Sequence, residues 1–454
     1  MFTTTDFQSQ LTMQRDATGT PGIAMGIQYG DEQFIATDGI TNANHPLPVT
    51  EKTLFQIGSI TKTMTATVMM RLVEREEVNL DVPVRTYLPD FRLQDDAAAA
   101  AATVRHLFTH TGGWVGDYFE DTGSGDDGLA RYVANMAALP QQAPLGTLWS
   151  YNNAAFSLAG RIIEVVTGEP FEAVMHQLLF EPLGMTMTFL MPSEVMTHRF
   201  VVGHTVVGDD EERTTTVATP WPLARSANPA GGVISTVPDM LRYARFHLDN
   251  GRNATGEQLL RPENIAAMQK IQAEAGTMAS HVGISWLLNT VAGVRTISHG
   301  GATNGQIAQL TLVPERDFAL VILTNANRGR EVTRDLSAWA LARYLEIESA
   351  QPATHALDAA TRQEYTGYYS AQLTDIEVSL HGNGLQFQVI PKGGFPDRDS
   401  PAGPAPAPAP VQFIAADQVI VTTGASAGSR AEFIRNANGK LAWLRFGGRV
   451  HRRQ

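Results

Sequence analysis

Cysteine is missing altogether from the 454 residues of this chain. That excludes disulfide staples, thiol nucleophiles and cysteine-ligated metals together, although it does not fix the compartment. Lysine is scarce: the 34 basic residues include five lysines, at positions 52, 62, 270, 392 and 440. With no Lys/Arg cluster and a formal net charge of −12, the chain is expected to bind neither nucleic acid nor an anionic membrane. No apolar stretch reaches transmembrane length. The opening Met1-Phe2-Thr3-Thr4-Thr5-Asp6 has neither the basic nor the apolar region of a signal peptide, so the expectation is a cytoplasmic protein. What is present is ordinary for a folded chain, 43% hydrophobic and 18% charged, and the length calls for two or three domains.

Against that scarcity, Lys62 stands out because it alone among the lysines has a serine three positions ahead, in Ser59-Ile60-Thr61-Lys62. On a helix beginning there, the two side chains share a face. A serine hydroxyl is a weak nucleophile, and a neutral amine one turn away can take its proton. Lys62 must be partly desolvated to be neutral near pH 7. The backbone N–H of Ser59, at a helix start, is available to an oxyanion. The plainer alternative is a helix start with Ser59 as N-cap and Lys62 in water.

Two further motifs offer partners. Tyr151-Asn152-Asn153 follows Pro144-Leu145-Gly146 and Trp149-Ser150 and leads into the apolar helical run Ala154–Val166. A phenol there can relay a proton and the Asn153 amide can grip a carbonyl. Equally, the ring belongs to the core and the asparagine caps the next helix. His299-Gly300-Gly301-Ala302 comes directly after the strand-like Gly293–Ser298. Its glycines let a substrate backbone approach, and the Ala302 N–H can be a second oxyanion donor. A strand-edge turn is the plainer reading. His106 and His110 are four apart, a zinc-chelating spacing, but lack the Glu of H-E-x-x-H, so a helix end feeding Thr111-Gly112-Gly113 is favoured and no metal is expected. His451, among terminal arginines, reads as solvated.

Along the chain, Ile23–Tyr29 and Gln33–Thr37 flank Gly30-Asp31 as a hairpin. Residues 63 to about 76 repeat apolar groups at helical spacing through Met64, Val68, Leu72 and Val73, as a buried helix with methionines packed in the core. Residues 81–228 look helical and loop-rich, with Asp95-Asp96 and the alanine tract 97–102 as a surface insertion. From Gly231 the pattern changes. A helix capped by Thr236 runs to about His247, and Val282–Leu288, Val294–Ser298, Ile307–Val313 and Phe318–Leu323 read as strands. A helix from about Arg330 to Leu345 closes the unit. The fold class is therefore α+β: an antiparallel sheet built from both ends of the segment, flanked by helices, with a helical lobe inserted and the site in the cleft between them. After a linker at 349–358 around Gln351-Pro352-Ala353-Thr354, residues 359–454 hold short alternating strands and an Asn438-Gly439 hairpin, as in a small β-barrel or sandwich.

S-x-x-K, then Y-x-N about ninety residues on, then a basic residue with two glycines resembles the serine β-lactamase and penicillin-binding-protein superfamily. In detail it is similar to the class C-type branch with its esterases, D-aminopeptidases and D,D-peptidases. Phe55-Gln56-Ile57-Gly58, the stretch from Val104 to Gly113, and Ala230-Gly231-Gly232-Val233-Ile234-Ser235-Thr236 extend the likeness over roughly residues 10 to 348. The resemblance implies a catalytic domain at 1–348. It makes Ser59 the acylated nucleophile, Lys62 its proton acceptor and Tyr151 the partner base. Ser59 and Ala302 N–H become the oxyanion hole, while Asn153, His299, Gly300 and Gly301 line the substrate site. It implies no cofactor.

The departure is His299, where β-lactamases carry Lys. A histidine of pKa near ~6.5 is mostly neutral at pH 7 and grips a carboxylate less firmly, unless arginines elsewhere replace the charge. The expected activity is a peptidase or aminopeptidase for small or D-configured peptides, then a carboxylesterase, then a β-lactamase. A non-catalytic acyl sensor or scaffold is the rival outside the enzymes. The expected partner is a small-molecule or short-peptide substrate, and a homo-oligomer is left open. Tyr365-Thr366-Gly367-Tyr368-Tyr369 makes the C-terminal part resemble the lipocalin-like domain of some peptidase members. Its Pro- and Ala-rich excursion, Pro401–Pro410, is expected to be a stiff or disordered loop, and a solvated surface excursion is the favoured reading; the sharper alternative is that the Gly393–Val411 loop leans over the cleft and limits substrate size.

Overall fold

Apolar side chains on both faces of Gly22–Tyr29 and Phe318–Thr324 mark central strands covered on two sides. The computed structural model describes residues 4–348, 350, 352–424 and 426–454, so Ser349 and Gln351 of the expected linker lie outside the described residues. In it the two strands pair antiparallel, Ile23 opposite Thr324, which joins the two ends of the catalytic segment. The sheet has eight strands, in the order Glu32–Gly39, Gly22–Tyr29, Phe318–Thr324, Gln306–Val313, Val294–Thr303, Leu287–Val291, His281–Val282 and Ala273–Glu274.

One face packs Ile23, Met25, Ile27, Leu320 and Ile322 against the helices Thr4–Thr18 and Gly329–Leu345 through Phe7, Leu11, Val332 and Leu336. Burial of each such side chain contributes ~1.5–3 kcal/mol. The N-terminal helix has few apolar positions, and periodicity does not announce it. The other face joins the large core that contains Thr61–Glu74 and Val237–Leu248. The Thr61–Glu74 helix buries nearly every residue, polar ones included, and Met64, Met69 and Met70 lie in that core.

Three expectations need correction. The strand Val282–Leu288 is two strands, His281–Val282 and Leu287–Val291. Between them Ile284 N–H and Ser285 N–H donate to Met268 O (2.8 Å) and Phe108 O (2.9 Å), and Trp286 turns in to stack on Tyr243. The alanine tract is not a surface insertion throughout. Asp95 caps the helix Asp96–Ala101, and Ala98, Ala99 and Ala102 are buried. His451 is not solvated: it is 2% exposed, with Nε2 2.9 Å from Thr374 Oγ1. The inserted lobe is mostly helical but also carries a short hairpin, His204–Val207 with Thr214–Val217.

Beyond the helix Ala359–Tyr365, eight strands form a closed barrel in which Gly367–Ser370 meets Arg449–Arg453. Tyr365, Tyr369, Phe387, Phe413 and Phe433 pack together inside it, so a side-chain core fills the barrel. Among the described residues no helix is long and apolar enough to cross a membrane.

Candidate active site

Ser59 lies in a single 3₁₀ turn, Gly58–Ile60, that runs directly into the Thr61–Glu74 helix. Its side chain does not cap that helix. Lys62 Nζ donates instead to Ser59 Oγ at 3.1 Å and to Ala230 O at 2.6 Å. Lys62 is fully buried. Burial first, and then the like charge of Arg449, push its pKa well below the ordinary amine range, with Asp117 opposing them. The ammonium form is therefore disfavoured beside the serine hydroxyl.

Tight backbone packing brings the two expected oxyanion donors together. Gly58 has φ +52, and a Cβ there would lie 2.6 Å from Ala302 N. A Cβ on Gly301 would overlap Ile57 O and come within 3.2 Å of Ser59 N. Only glycines permit this approach of the turn to the strand. His299-Gly300-Gly301-Ala302 is not a turn after a strand but part of the strand itself, Val294–Thr303. It pairs with Gln306–Val313, His299 opposite Leu310 and Gly301 opposite Ala308, because the glycines fit the ladder beside the 3₁₀ turn. His299 Nδ1–H donates to Gly300 O at 2.6 Å, and its buried Nε2 has no hydrogen-bond partner among the described residues. Burial, with Lys62 adding to it, holds the His299 pKa down to about 3, so the ring is neutral.

Tyr151 is 5% exposed, and burial raises its pKa above the ordinary phenol value while Ser59 and Arg449 oppose the shift. Its ring centroid lies 5.0 Å from Lys62 Nζ. Asn152, not Asn153, caps the helix Ala154–Thr167, through Oδ1 to Ala155 N–H at 2.8 Å. Asn153 is left to donate from Nδ2 to Asp117 Oδ1 at 2.8 Å.

Two residues here escape a reading of the sequence. Arg449, at the start of the last barrel strand, clasps Asp117 with Nε at 2.9 Å and a second guanidinium nitrogen at 3.0 Å. It also lies 4.7 Å from the Tyr151 ring centroid. Tyr151 N–H donates to Gly448 O at 2.8 Å, so the turn before that strand is fastened to the site. The only local signal is Gly447-Gly448 ahead of Arg449 in an arginine-rich terminus. His106 and His110 hold no joint position for a metal: His106 Nδ1 caps its own helix at Thr103, and His110 Nδ1 accepts from Asn152 N–H.

Ser59, Tyr151, Asn153, His299 to Ala302, Arg330 and Arg449 line a cavity of about 620 Å³. Phe395 and Leu373 of the barrel domain also line it. Phe395, in the Gly393–Val411 excursion, packs edge-on to Phe119 at 5.0 Å, and Arg398 pairs with Glu120 at 3.4 Å. Among the described lining residues there is no Asp or Glu.

The family model described as beta-lactamase matches residues 8–344. The chain is 34% identical over 338 residues to penicillin-binding protein 4 of Amycolatopsis lactamdurans, covering 73% of this chain and 87% of that protein. It is 27% identical over 346 residues to a beta-lactamase of Yersinia enterocolitica, covering 70% and 85%. With esterase EstB of Burkholderia gladioli it shares 31% identity over 177 residues, 36% of this chain and 45% of that protein. The crystal structures of SurE and of SurE with D-Leu superpose at TM-scores of 0.76 and 0.75, each with 23% identity and 99% of both chains covered.

Proposed function

The chain belongs to the beta-lactamase family and is a serine hydrolase of the beta-lactamase and penicillin-binding-protein type, and on that premise we propose that it works through an acyl-enzyme on Ser59, with short peptides, D-configured ones included, as its substrates. The observation that carries the reading is the fully buried Lys62 amine 3.1 Å from Ser59 Oγ.

In this reading Ser59 Oγ attacks the substrate carbonyl and its proton passes to the neutral Lys62 Nζ. The tetrahedral oxyanion is held by Ser59 N–H and Ala302 N–H. The Tyr151 phenol, kept protonated by burial, supplies a proton to the leaving nitrogen or oxygen as the C–N or C–O bond breaks, and recovers one from Lys62. Burial pushes the two groups toward opposite tasks, acceptor for the amine and donor for the phenol. Water then attacks the Ser59 ester, releasing the acid and returning the hydroxyl proton.

The cavity favours a substrate held by a carboxylate over one held by an ammonium. Its described lining residues include Arg449 and Arg330 and no acid, and Asp117 is already clasped by Arg449 and Asn153. The charge that His299 cannot supply at neutral pH thus comes from arginines. This leans, within the peptidases, toward release at a carboxyl-terminal residue over aminopeptidase action. The likeness to SurE, whose fold is also known with D-Leu, supports the D-configured choice. Phe395, over the cavity, limits the bulk of the acyl part.

A carboxylesterase is the second reading, favoured by the stretch shared with EstB. The test is turnover of a peptide ending in D-Ala-D-Ala, a D-amino-acid nitroanilide, a p-nitrophenyl ester and nitrocefin by one preparation, with Ser59→Ala as control. Highest kcat/KM on the carboxyl-ended peptide is expected. Preference for the ester by a hundredfold or more would install the esterase reading, and full activity of Ser59→Ala would remove both.

A further inference from the structure

His110 stands outside the reaction just described, yet its conformation is unusual. It ends the helix Val104–Thr109 in the left-handed region, φ 56 and ψ 33, where glycine is the common residue. For a residue with a Cβ that conformation is sterically strained. The side chain is fully buried, so exposure does not explain the choice.

His110 holds Tyr151 and its two chain neighbours at three points. Its carbonyl accepts Ser150 N–H at 3.0 Å. Its Nδ1 accepts Asn152 N–H at 3.0 Å. Its ring stacks on the Tyr151 ring, centroids 4.4 Å apart and planes 26° from parallel. Trp149 and Phe156 press on the imidazole at 5.6 and 5.5 Å. Because Nδ1 accepts a hydrogen bond, the proton of the neutral ring sits on Nε2, which has no partner among the described residues. Glycine would supply the bend and the carbonyl but neither the acceptor nor the stack.

We propose that His110 is a positioning residue for Tyr151, gripping the backbone on both sides of the tyrosine and one face of its ring so that the phenol stays beside Ser59. This rests on the acyl-enzyme reading above. Asparagine tolerates the left-handed region and its Oδ1 occupies the place of Nδ1, so His110→Asn keeps the acceptor and drops the ring. His110→Phe keeps a ring and drops the acceptor.

Each variant is made alone and with Tyr151→Phe, and kcat and KM are measured on a p-nitrophenyl ester beside the melting temperature. Displacing a catalytic group by about 1 Å costs ~100-fold in rate. The expected result is a 10- to 100-fold fall in kcat for His110→Phe with KM within twofold, a smaller fall for His110→Asn, and less than a twofold further effect of either once the Tyr151 phenol is gone. Equal losses with and without the phenol, or an unchanged kcat in both single variants, would overturn the proposal. If His110→Phe does not fold, the Asn cycle is decided by the same criterion. Ser59→Ala answers separately: activity there removes the underlying reading, whereas an inactive Ser59→Ala with additive His110 losses removes only the positioning role.

Discussion

The clasp between Arg449 and Asp117 gives the sharpest test of how the barrel domain serves the site. The Asp117 side chain is 4% exposed and that of Arg449 31%, so the two partners differ in what is lost when the other goes. Breaking a buried ion pair from one side costs ~3–5 kcal/mol. Arg449→Gln strands the buried carboxylate, and with solvent reaching the arginine end the cost is about 2–3 kcal/mol. Asp117→Asn leaves a guanidinium that reaches water and costs about 1–2 kcal/mol. The double variant recovers part of the sum, since contacting residues are coupled.

The catalytic consequence has opposite signs in the two variants. Arg449 lowers the Lys62 pKa and Asp117 raises it. Removing the cation therefore raises that pKa, and removing the anion lowers it. In the proposed reaction Lys62 must be neutral to accept the serine proton, so the acid limb of the kcat/KM profile, which reports the free enzyme, moves to higher pH in Arg449→Gln and to lower pH in Asp117→Asn. Substrates with a free carboxylate should also lose ~10- to 100-fold in kcat/KM in Arg449→Gln beyond any loss on neutral esters, the worth of one charge-assisted hydrogen bond. The assay is p-nitrophenyl ester hydrolysis from pH 5 to 10, with urea denaturation alongside. Limbs that move together, or stay in place, would refute the assignment of Lys62 as the titrating base.

Gly301→Ala should lower kcat ~100-fold together with a fall in melting temperature, since its methyl would overlap the Ile57 backbone O beside Ser59 N and displace one of the two proposed oxyanion donors. Phe395→Ala should improve kcat/KM for bulky acyl esters about tenfold relative to acetate, by opening the wall shared with Phe119, and an unchanged ratio would release the loop from any role in selection. His247 is buried, which holds its pKa down to about 3. Between that value and ~6.5 the unfolded chain binds the extra proton. Stability should therefore fall as pH drops through this window and stay level above it. His247→Leu should flatten the slope between pH 4 and 6 by about one proton, ~1.4 kcal/mol per pH unit, read by urea denaturation at each pH.

Local rules were enough for much of this molecule. Helical rise puts Ser59 and Lys62 on one face whatever surrounds them, continuous apolar runs mark the central strands Gly22–Tyr29 and Phe318–Thr324, and turn residues such as Asn438-Gly439 announce the barrel strands. Those features depend on neighbours three or four positions away, which a sequence displays directly. The His-Gly-Gly segment misleads because glycine signals a turn locally, whereas here it admits a strand to the 3₁₀ turn at Gly58, in a remote part of the chain.

The charge states belong to the tertiary structure alone. The charged form of Lys62 is disfavoured by burial, with Tyr151, Phe156 and Ala230 around its amine, and the guanidinium beside Tyr151 arrives from the last strand of another domain. Spacing along the chain determines which side chains can meet. Desolvation and the reach of distant charges, which exist only once the chain is packed, decide what those side chains do.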